Sequence, residues 1–450
     1  MNLTTYPSNG LHGSVEAPGD KSLSHRAALF AALAEGESRI GHFLVSGVTD
    51  AMLRALTALG VPWELTGTDL RVEGHGLRGF QAPAAALNCG NSATTIRLLA
   101  GALAASGAPA VLDGSAGLRK RPMGRIAEPL KQMGVRISTS EDGCAPLMLE
   151  GRAAAERLHA VRYTLPVASA QVKTCLLLAA LAADGVVELI EPALSRDHSE
   201  RMLRGMGVTV ETQADPGGSG AFLARLTPPV RPLTPLRGDL PGDFSAASFL
   251  IVAALITPGS CLEIRGVGLN PTRTGLLETL LEMGADIRIS GQRETFGEPV
   301  GDLEVHTSAL RGATVGGERV VQMIDEFPAF AAAAAFASGP TTVSGAEELR
   351  YKESDRISAL CSELRAVGVE AQETADGFVL TGGGVKGGTV NPHGDHRLAM
   401  ALAVAGLGAQ GAQGARAASA VRIENAEIMG ESFPDFAAVL RSIGARVETD

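Results

Sequence analysis

Aromatic side chains are scarce in this chain, at 4% of its residues with a single tryptophan. Its interiors must therefore be packed with Ala, Leu and Val. Cysteine is scarcer still: Cys89, Cys144, Cys175, Cys261 and Cys361 are odd in number, scattered and without a CxxC pair. That argues against a disulfide framework and a structural zinc site, and for a reducing, cytoplasmic setting. No uncharged apolar run reaches membrane-spanning length; 327–336 is among the longest and is mostly alanine. The start, Met1-Asn2-Leu3-Thr4-Thr5-Tyr6, has no basic region followed by an apolar segment, so no signal peptide is expected. Positive charge is not in surplus either, and a net charge of −10 argues against a nucleic-acid partner.

Familiar chemical signatures are missing as well. There is no GxxxxGK[ST] phosphate loop, no HExxH and no GxSxG nucleophile turn. His393 and His396, three apart, are a weak metal signal, and no metal is expected. Gly382-Gly383-Gly384 follows the β-type run Phe378-Val379-Leu380 and reads as a hairpin turn. The stretch 406–418, rich in Gly, Ala and Gln, reads as a solvent loop.

What the chain does have is cations gathered where helices begin. Pro18-Gly19-Asp20-Lys21-Ser22-Leu23-Ser24-His25-Arg26 is a turn and a polar cap, and an Ala/Leu helix follows at once. One such cap reads as ordinary, with solvated charges. A related phrase, Pro241-Gly242-Asp243-Phe244-Ser245, opens another apolar helix halfway along. Further cations stand at Arg119-Lys120-Arg121, Arg196, Lys352 with Arg356, and Arg397. Orphan N–H groups at helix starts attract anions, and an acidic protein with cations beside them is arranged for a small anionic ligand.

Two phrases repeat. The first is a helix-like stretch ending in Gly before a β-type run, with glycines at Gly60, Gly134, Gly207, Gly284, Gly368 and Gly444. Each reads as the left-handed residue that stops a helix. The second is a polar cap opening an Ala-rich helix, at Lys21-Ser22, Asn91-Ser92-Ala93-Thr94, Ser169-Ala170-Gln171, Asp243-Phe244-Ser245, Asp325-Glu326 and Asp395-His396-Arg397. The two alternate along the chain, which makes six copies of a two-helix α/β unit. A chain of 450 residues exceeds what one core holds, so two domains are expected.

Pro18-Gly19-Asp20-Lys21-Ser22, Gly90-Asn91-Ser92-Ala93-Thr94-Thr95-Ile96-Arg97, Ser169-Ala170-Gln171, Lys352-Glu353-Ser354-Asp355-Arg356 and Asp395-His396-Arg397 resemble the 5-enolpyruvylshikimate-3-phosphate synthase family. The match runs in order from Pro18 to Pro434. The resemblance implies an α/β fold, a two-domain inside-out α/β barrel with three βαβαββ-type repeats in each domain. One domain would hold 18–240. The other would combine 1–17 with 241–450, the chain crossing near 18 and again at 238–241.

The reaction implied joins shikimate 3-phosphate to phosphoenolpyruvate with release of phosphate, in a monomer without a cofactor. Both substrates are polyanions, in keeping with the cation-rich openings. By resemblance, Lys21, Ser22, Arg26, Ser169, Ala170, Gln171, Arg196, Asp325 and Lys352 would bind shikimate 3-phosphate. Lys21, Ala93, Arg121, Gln171, Arg356 and Arg397 would bind phosphoenolpyruvate. Asp325 is the candidate base for the 5-hydroxyl, Glu353 the proton carrier at the methylene carbon, and Lys21 the stabiliser of charge on oxygen. Substrate residues in both domains imply closure around the substrates.

Three positions depart from the commonest family pattern. Ala93 stands where many members have Gly, Ala170 replaces a frequent Ser, and Glu431 occupies a place where some members carry Lys. The sister family that transfers enolpyruvate to UDP-N-acetylglucosamine is the nearest alternative. It typically carries Lys-Asn where this chain has Lys21-Ser22, and a reactive Cys in the loop before Arg121, which 116–120 lacks. A non-catalytic anion-binding protein on the same scaffold would be expected to have lost Lys21, Asp325 or Glu353, and all three are present.

Overall fold

A computed structural model describes residues 1–215, 220–409 and 420–450. Each of the six repeats carries two principal helices. In the first three repeats they are α1 (Lys21–Leu33) and α2 (Gly47–Ala58), α3 (Ala93–Ser106) and α4 (Gly124–Gln132), and α5 (Ala170–Ala180) and α6 (His198–Gly205). In the last three they are α7 (Phe244–Ile256) and α8 (Gly275–Glu282), then, after the short α9 (Glu318–Gln322), α10 (Phe327–Ala334) and α11 (Arg356–Ala366), and finally α12 (His396–Leu407) and α13 (Phe436–Ser442).

The first helix of each repeat is apolar nearly all round and is buried accordingly. Every residue of α7, α10 and α12 is buried. Small side chains let these helices approach closely. In α3, a Cβ on Gly101 would lie 2.2 Å from the Cys175 carbonyl oxygen of α5, so only glycine fits there. The second helices bury one face only, as Ile126, Ala127, Pro129 and Leu130 do in α4. Each ends on the expected glycine, with φ of +77°, +88°, +90°, +95°, +88° and +99° in the order given above. Phenylalanine contributes more to the interior than its number suggests, with Phe244, Phe249, Phe327, Phe330, Phe378 and Phe433 fully buried.

Each repeat supplies most of one four-stranded mixed sheet, and six such sheets form among the described residues. The pattern is constant where strand registers are defined: a parallel edge pair, then two antiparallel pairings. Ala110–Asp113, for example, lies parallel to Leu87–Asn88 and antiparallel to Leu147–Leu149, which also pairs with Ile137–Ser138. Three sheets are completed by strands from elsewhere in the chain. Arg237–Asp239 returns to lie parallel to Glu35–Gly41. The N-terminal strand Leu3–Tyr6 inserts antiparallel between Val421–Ile423 and Arg446–Thr449. The next strand, His12–Glu16, runs parallel to Cys261–Gly268.

The chain forms two compact units. One comprises Met1–Pro18, Pro241–Glu294 and Pro299–Asp450; the other comprises Gly19–Leu240 and Thr295–Glu298. Each has its own apolar core. The four residues Thr295–Glu298 are the tip of the hairpin Asp286–Thr295 and Glu298–His306, and His198 in α6 bonds to Glu298 within their unit.

Two loop expectations need correction. Gly382-Gly383-Gly384 is no hairpin turn: the chain leaves strand Gly377–Thr381 and joins Gly388–Val390 in a different sheet. The N–H groups of Gly383 and Gly384 both donate to the Ala335 carbonyl at the end of α10, which ties the connection down. The Gly/Ala/Gln stretch begins later than expected, because Gly406 and Leu407 belong to α12, and 410–418 lies outside the described residues.

Candidate active site

In the unit built on 19–240, the helix openings are bonded to one another. Asp20 caps α1 by accepting from the Leu23 N–H at 2.8 Å, leaving Lys21 and Ser22 half-buried on the first turn. Gly19 lets the chain pass closely, since a Cβ there would stand 1.7 Å from the His42 carbonyl oxygen. Arg26 lies inside. Its Nε donates to Ser199 Oγ (2.8 Å) of α6, Nη2 to Thr174 Oγ1 (2.9 Å) of α5 and Nη1 to the Ser22 carbonyl (3.0 Å). Burial lowers its pKa to about 10, still cationic at neutral pH, and Arg196 is near enough to lower it further.

The openings of α3 and α5 are linked through one amide. Arg97 Nη1 donates to Gln171 Oε1 at 2.6 Å, and Gln171 Nε2 donates to Thr94 Oγ1 at 3.0 Å. Arg97 also reaches the Pro122 carbonyl, beside Arg121. Ser92 caps α3 through the Thr95 N–H (3.1 Å), Ser169 caps α5, and Ala93 follows the first cap, 6% exposed. His25 Nδ1 donates to the Lys21 carbonyl at 2.8 Å while Nε2 lies 3.5 Å from Ser92 Oγ. The starts of α1, α3 and α5 are thus joined pairwise, a closed triangle of hydrogen bonds. Arg121 is half-buried after a single 3₁₀ turn, and Arg196 is half-buried just before α6. Arg119, in contrast, is exposed and paired with Asp113, whose carboxyl it holds below the usual range.

The other unit has a second triangle, at the starts of α10, α11 and α12. Asp395 caps α12 through the Arg397 N–H (2.9 Å) and receives Arg356 Nε at 2.7 Å. Arg356 Nη2 also donates to Glu353 at 2.7 Å. Asp325 stands before α10 among three cations: Lys352 Nζ at 3.6 Å, Arg356 Nη1 at 3.5 Å and Arg397 Nη2 at 3.9 Å. Arg397 Nη1 reaches the Asp325 main-chain carbonyl too. Burial opposes charge on Arg356, but Asp395, Glu353 and Asp325 outweigh it and hold its pKa above the ordinary value. Half-exposed Asp325, Lys352 and Glu353 are therefore set on a buried, fully ionised strut.

Comparison with known proteins gives this arrangement its relatives. A family model for EPSP synthase (3-phosphoshikimate 1-carboxyvinyltransferase) matches residues 5–440. A 3-phosphoshikimate 1-carboxyvinyltransferase of Methylococcus capsulatus is 44% identical, over 99% of this chain and 98% of its own. Another, of Geobacter sulfurreducens, is 45% identical over 99% of this chain and all of its own. A solved structure of EPSP synthase from Acinetobacter baumannii matches with a TM-score of 0.86 at 39% identity, covering 99% of both chains.

The chain belongs to the EPSP synthase family. It is accordingly a transferase of the 3-phosphoshikimate 1-carboxyvinyltransferase class. The structure places Lys21, Ser22, Arg26, Ala93, Arg121, Ser169, Ala170, Gln171 and Arg196 in one unit. Asp325, Lys352, Glu353, Arg356 and Arg397 fall in the other. His396 and His393 go to separate carboxylates, Glu431 (3.6 Å) and Glu363 (2.8 Å), and the described residues hold no cluster of three or more metal-ligating side chains. None of the described helices is long and apolar enough to cross a membrane. The five cysteines are free, and burial pushes the thiols of Cys89 and Cys175 up to about 12.

A cavity of about 290 Å³ lies away from the helix openings, lined by Leu103, Arg136, Arg152, Arg157 and His159 among others. Its arginines serve main-chain carbonyls: Arg152 donates to Ala104 and Ala105, Arg157 to Ala183. Arg136 likewise donates to the Gly151 carbonyl, so all three are engaged by the chain's own backbone.

Several residues of the openings escaped the sequence reading. Thr94 and Arg97 were visible only as part of a motif, and their role as the clamp on Gln171 is tertiary. Lys173 did leave a signal, as a lone cation inside the apolar run 172–182. Glu326 is fully buried and accepts from Ser245 at the start of α7, a partner 81 residues away that no local pattern announces.

Proposed function

We propose that this chain transfers the enolpyruvyl group of phosphoenolpyruvate to the 5-hydroxyl of shikimate 3-phosphate, by addition and then elimination of phosphate through a tetrahedral intermediate. The observation that carries the reading is Asp325, a half-exposed carboxylate with three cations within 3.9 Å. A hydroxyl brought there meets a base and a positive field together. Asp325 takes the 5-hydroxyl proton. Glu353, oriented by Arg356, delivers a proton to the methylene carbon and removes it in the elimination. Lys21 stabilises charge on the bridging and leaving oxygens.

The remaining residues bind. Ser22, Arg26, Ser169, Ala170, Gln171, Arg196 and Lys352 serve shikimate 3-phosphate. Arg121, Arg356, Arg397, Gln171 and Ala93 serve phosphoenolpyruvate, the arginines suiting its carboxylate and phosphate by bidentate geometry. Glu431 puts a carboxylate where some relatives carry a cation, which weakens the hold on that anion. The methyl of Ala93 narrows the phosphoenolpyruvate site, so that the longer inhibitor glyphosate fits poorly and the enzyme tolerates it.

Phosphate release from the two substrates, repeated with UDP-N-acetylglucosamine as acceptor, tests the reaction; release with the sugar nucleotide alone overturns it. Asp325→Asn keeps the shape and removes the base, so turnover falls by about 10²–10⁴ while shikimate 3-phosphate still binds. Near-normal turnover in that variant would remove Asp325 from the mechanism.

A further inference from the structure

Helix α5 hides an ionic network that the reaction does not use directly. Lys173 is fully buried, and its ammonium lies 2.7 Å from both Glu191 and Glu200, themselves at most 1% exposed. Burial disfavours its charge, but the two carboxylates prevail and hold the lysine protonated. Nζ also donates to the Ser195 carbonyl at 3.2 Å, and Ser195 Oγ donates to Glu191 Oε2 at 2.6 Å. Beside it, Ser199 Oγ lies 2.6 Å from Thr174 Oγ1 and accepts from Arg26. Apart from the Lys173–Glu191 pair, these links end on residues 195–200, the turn that carries Arg196 and the first residues of α6.

A buried ion cluster is a poor way to gain stability, because an apolar set of equal volume commonly does as well. What it supplies is geometry: each partner has one satisfactory position, so the turn has one conformation. We infer that Lys173 is a positioning residue for shikimate 3-phosphate, fixing the Ser195–Arg196 turn so that the Arg196 guanidinium is preorganised for the substrate's phosphate. This rests on the assignment of Arg196 made above. Lys173 touches no substrate and acts through the turn.

The test is calorimetric binding of shikimate 3-phosphate alone to the full chain, together with steady-state kinetics. Lys173→Met removes the ammonium and keeps most of the volume. Its dissociation constant for shikimate 3-phosphate should rise by about tenfold or more, with KM for phosphoenolpyruvate at saturating partner changing less than about threefold. Combined with Arg196→Gln, Lys173→Met should add less than about twofold to the loss, because both act on one contact. Additive losses, or unchanged binding in folded Lys173→Met, overturn the inference. Unchanged binding in Arg196→Gln alone overturns the assignment of Arg196 instead. Should Lys173→Met not fold, Ser195→Ala removes only the link to Glu191, and it should weaken the same binding in the same direction; no change there overturns the inference too.

Discussion

Pro18-Gly19-Asp20-Lys21-Ser22 and Pro241-Gly242-Asp243-Phe244-Ser245 are nearly the same words, and their backbones do the same thing. Both aspartates cap a thirteen-residue helix with extended φ and ψ, at −60° and 120° for Asp20 and −67° and 114° for Asp243. The outcomes differ at the next residue. Lys21 and Ser22 are half-buried, whereas Phe244 and Ser245 are within 1% of complete burial. Around Asp243 the polar groups consume one another: Arg273 Nη2 donates to Asp243 Oδ1 at 2.6 Å and to Ser245 Oγ at 2.8 Å, and Ser245 donates to Glu326. A shared cap is therefore a structural device that one repeat leaves partly exposed and another closes into core. The residue at the first helical position differs accordingly, Lys21 in the one and Phe244 in the other.

Exchanging what stands at that position should separate the two roles. Lys21→Met keeps the length of the side chain and discards its charge. Turnover should fall by about 10²–10³, as expected when a group that stabilises developing charge is lost, with the unfolding transition in place. A variant that loses stability instead would put Lys21 on the structural side of the comparison.

At the closed opening the balance should reverse. Phe244→Ala leaves a hole in a fully buried site and should cost about 3–5 kcal/mol. For a unit of this size that is a fall of about 10 °C in its melting temperature, with near-normal turnover per folded molecule. Calorimetry beside an activity titration measures both, and lost turnover at full stability would show that α7 also serves the reaction.

How much of this was legible in the sequence follows from the same pair. The six repeats could be read because helix caps and helix-ending glycines are local: Gly60 through Gly444 announce themselves wherever the chain folds. Which opening is closed is partly local too, since Phe244 sits where Lys21 does. The triangles were not legible. Thr94 and Gln171, or Arg356 and Asp395, are joined across 77 and 39 residues by side chains whose direction only the packed fold sets. The return of Arg237–Asp239 to the first sheet was hidden for a related reason. Edge strands such as Arg237–Asp239 are three residues long, too short for an alternating pattern.

The α1 opening should also sharpen the comparison through pH, because it holds a histidine that α7 lacks. Burial lowers the His25 imidazole to about 4, its bond to the Lys21 carbonyl opposing and being outweighed. In the unfolded chain its value is the ordinary 6.5. Between those values the unfolded chain binds more protons, so stability falls as pH falls from 6.5 through 4. The full loss is about 3 kcal/mol, at about 1.4 kcal/mol for each unit. Denaturant midpoints at pH 7 and pH 4 should differ by less in His25→Gln; an unaltered difference would mean that the ring does not couple to folding.

The smallest expected effect lies in the next repeat, at the opening of α3, where a single methyl is at issue. Ala93 follows the cap Ser92 as Lys21 follows Asp20, and at 6% exposure it stands between the two extremes of the comparison. Its Cβ belongs to the apolar core of its unit, so little of its surface is open to a ligand. A tight site nevertheless feels one methyl, at about 1–3 kcal/mol when it overpacks, which is about tenfold to a hundredfold in affinity. Phosphoenolpyruvate, being shorter than glyphosate, should be affected less, so under the proposed function the methyl should discriminate by exclusion. Ala93→Gly should therefore lower the glyphosate inhibition constant by about tenfold to a hundredfold, with a smaller change in KM for phosphoenolpyruvate. It should also cost about 1 kcal/mol of stability, because glycine is the poorer helix former. Competition constants for the two proteins, measured beside their unfolding curves, divide the outcomes. Equal inhibition with lower stability would place Ala93 with Phe244, as a residue that closes its opening and has no part in choosing the ligand.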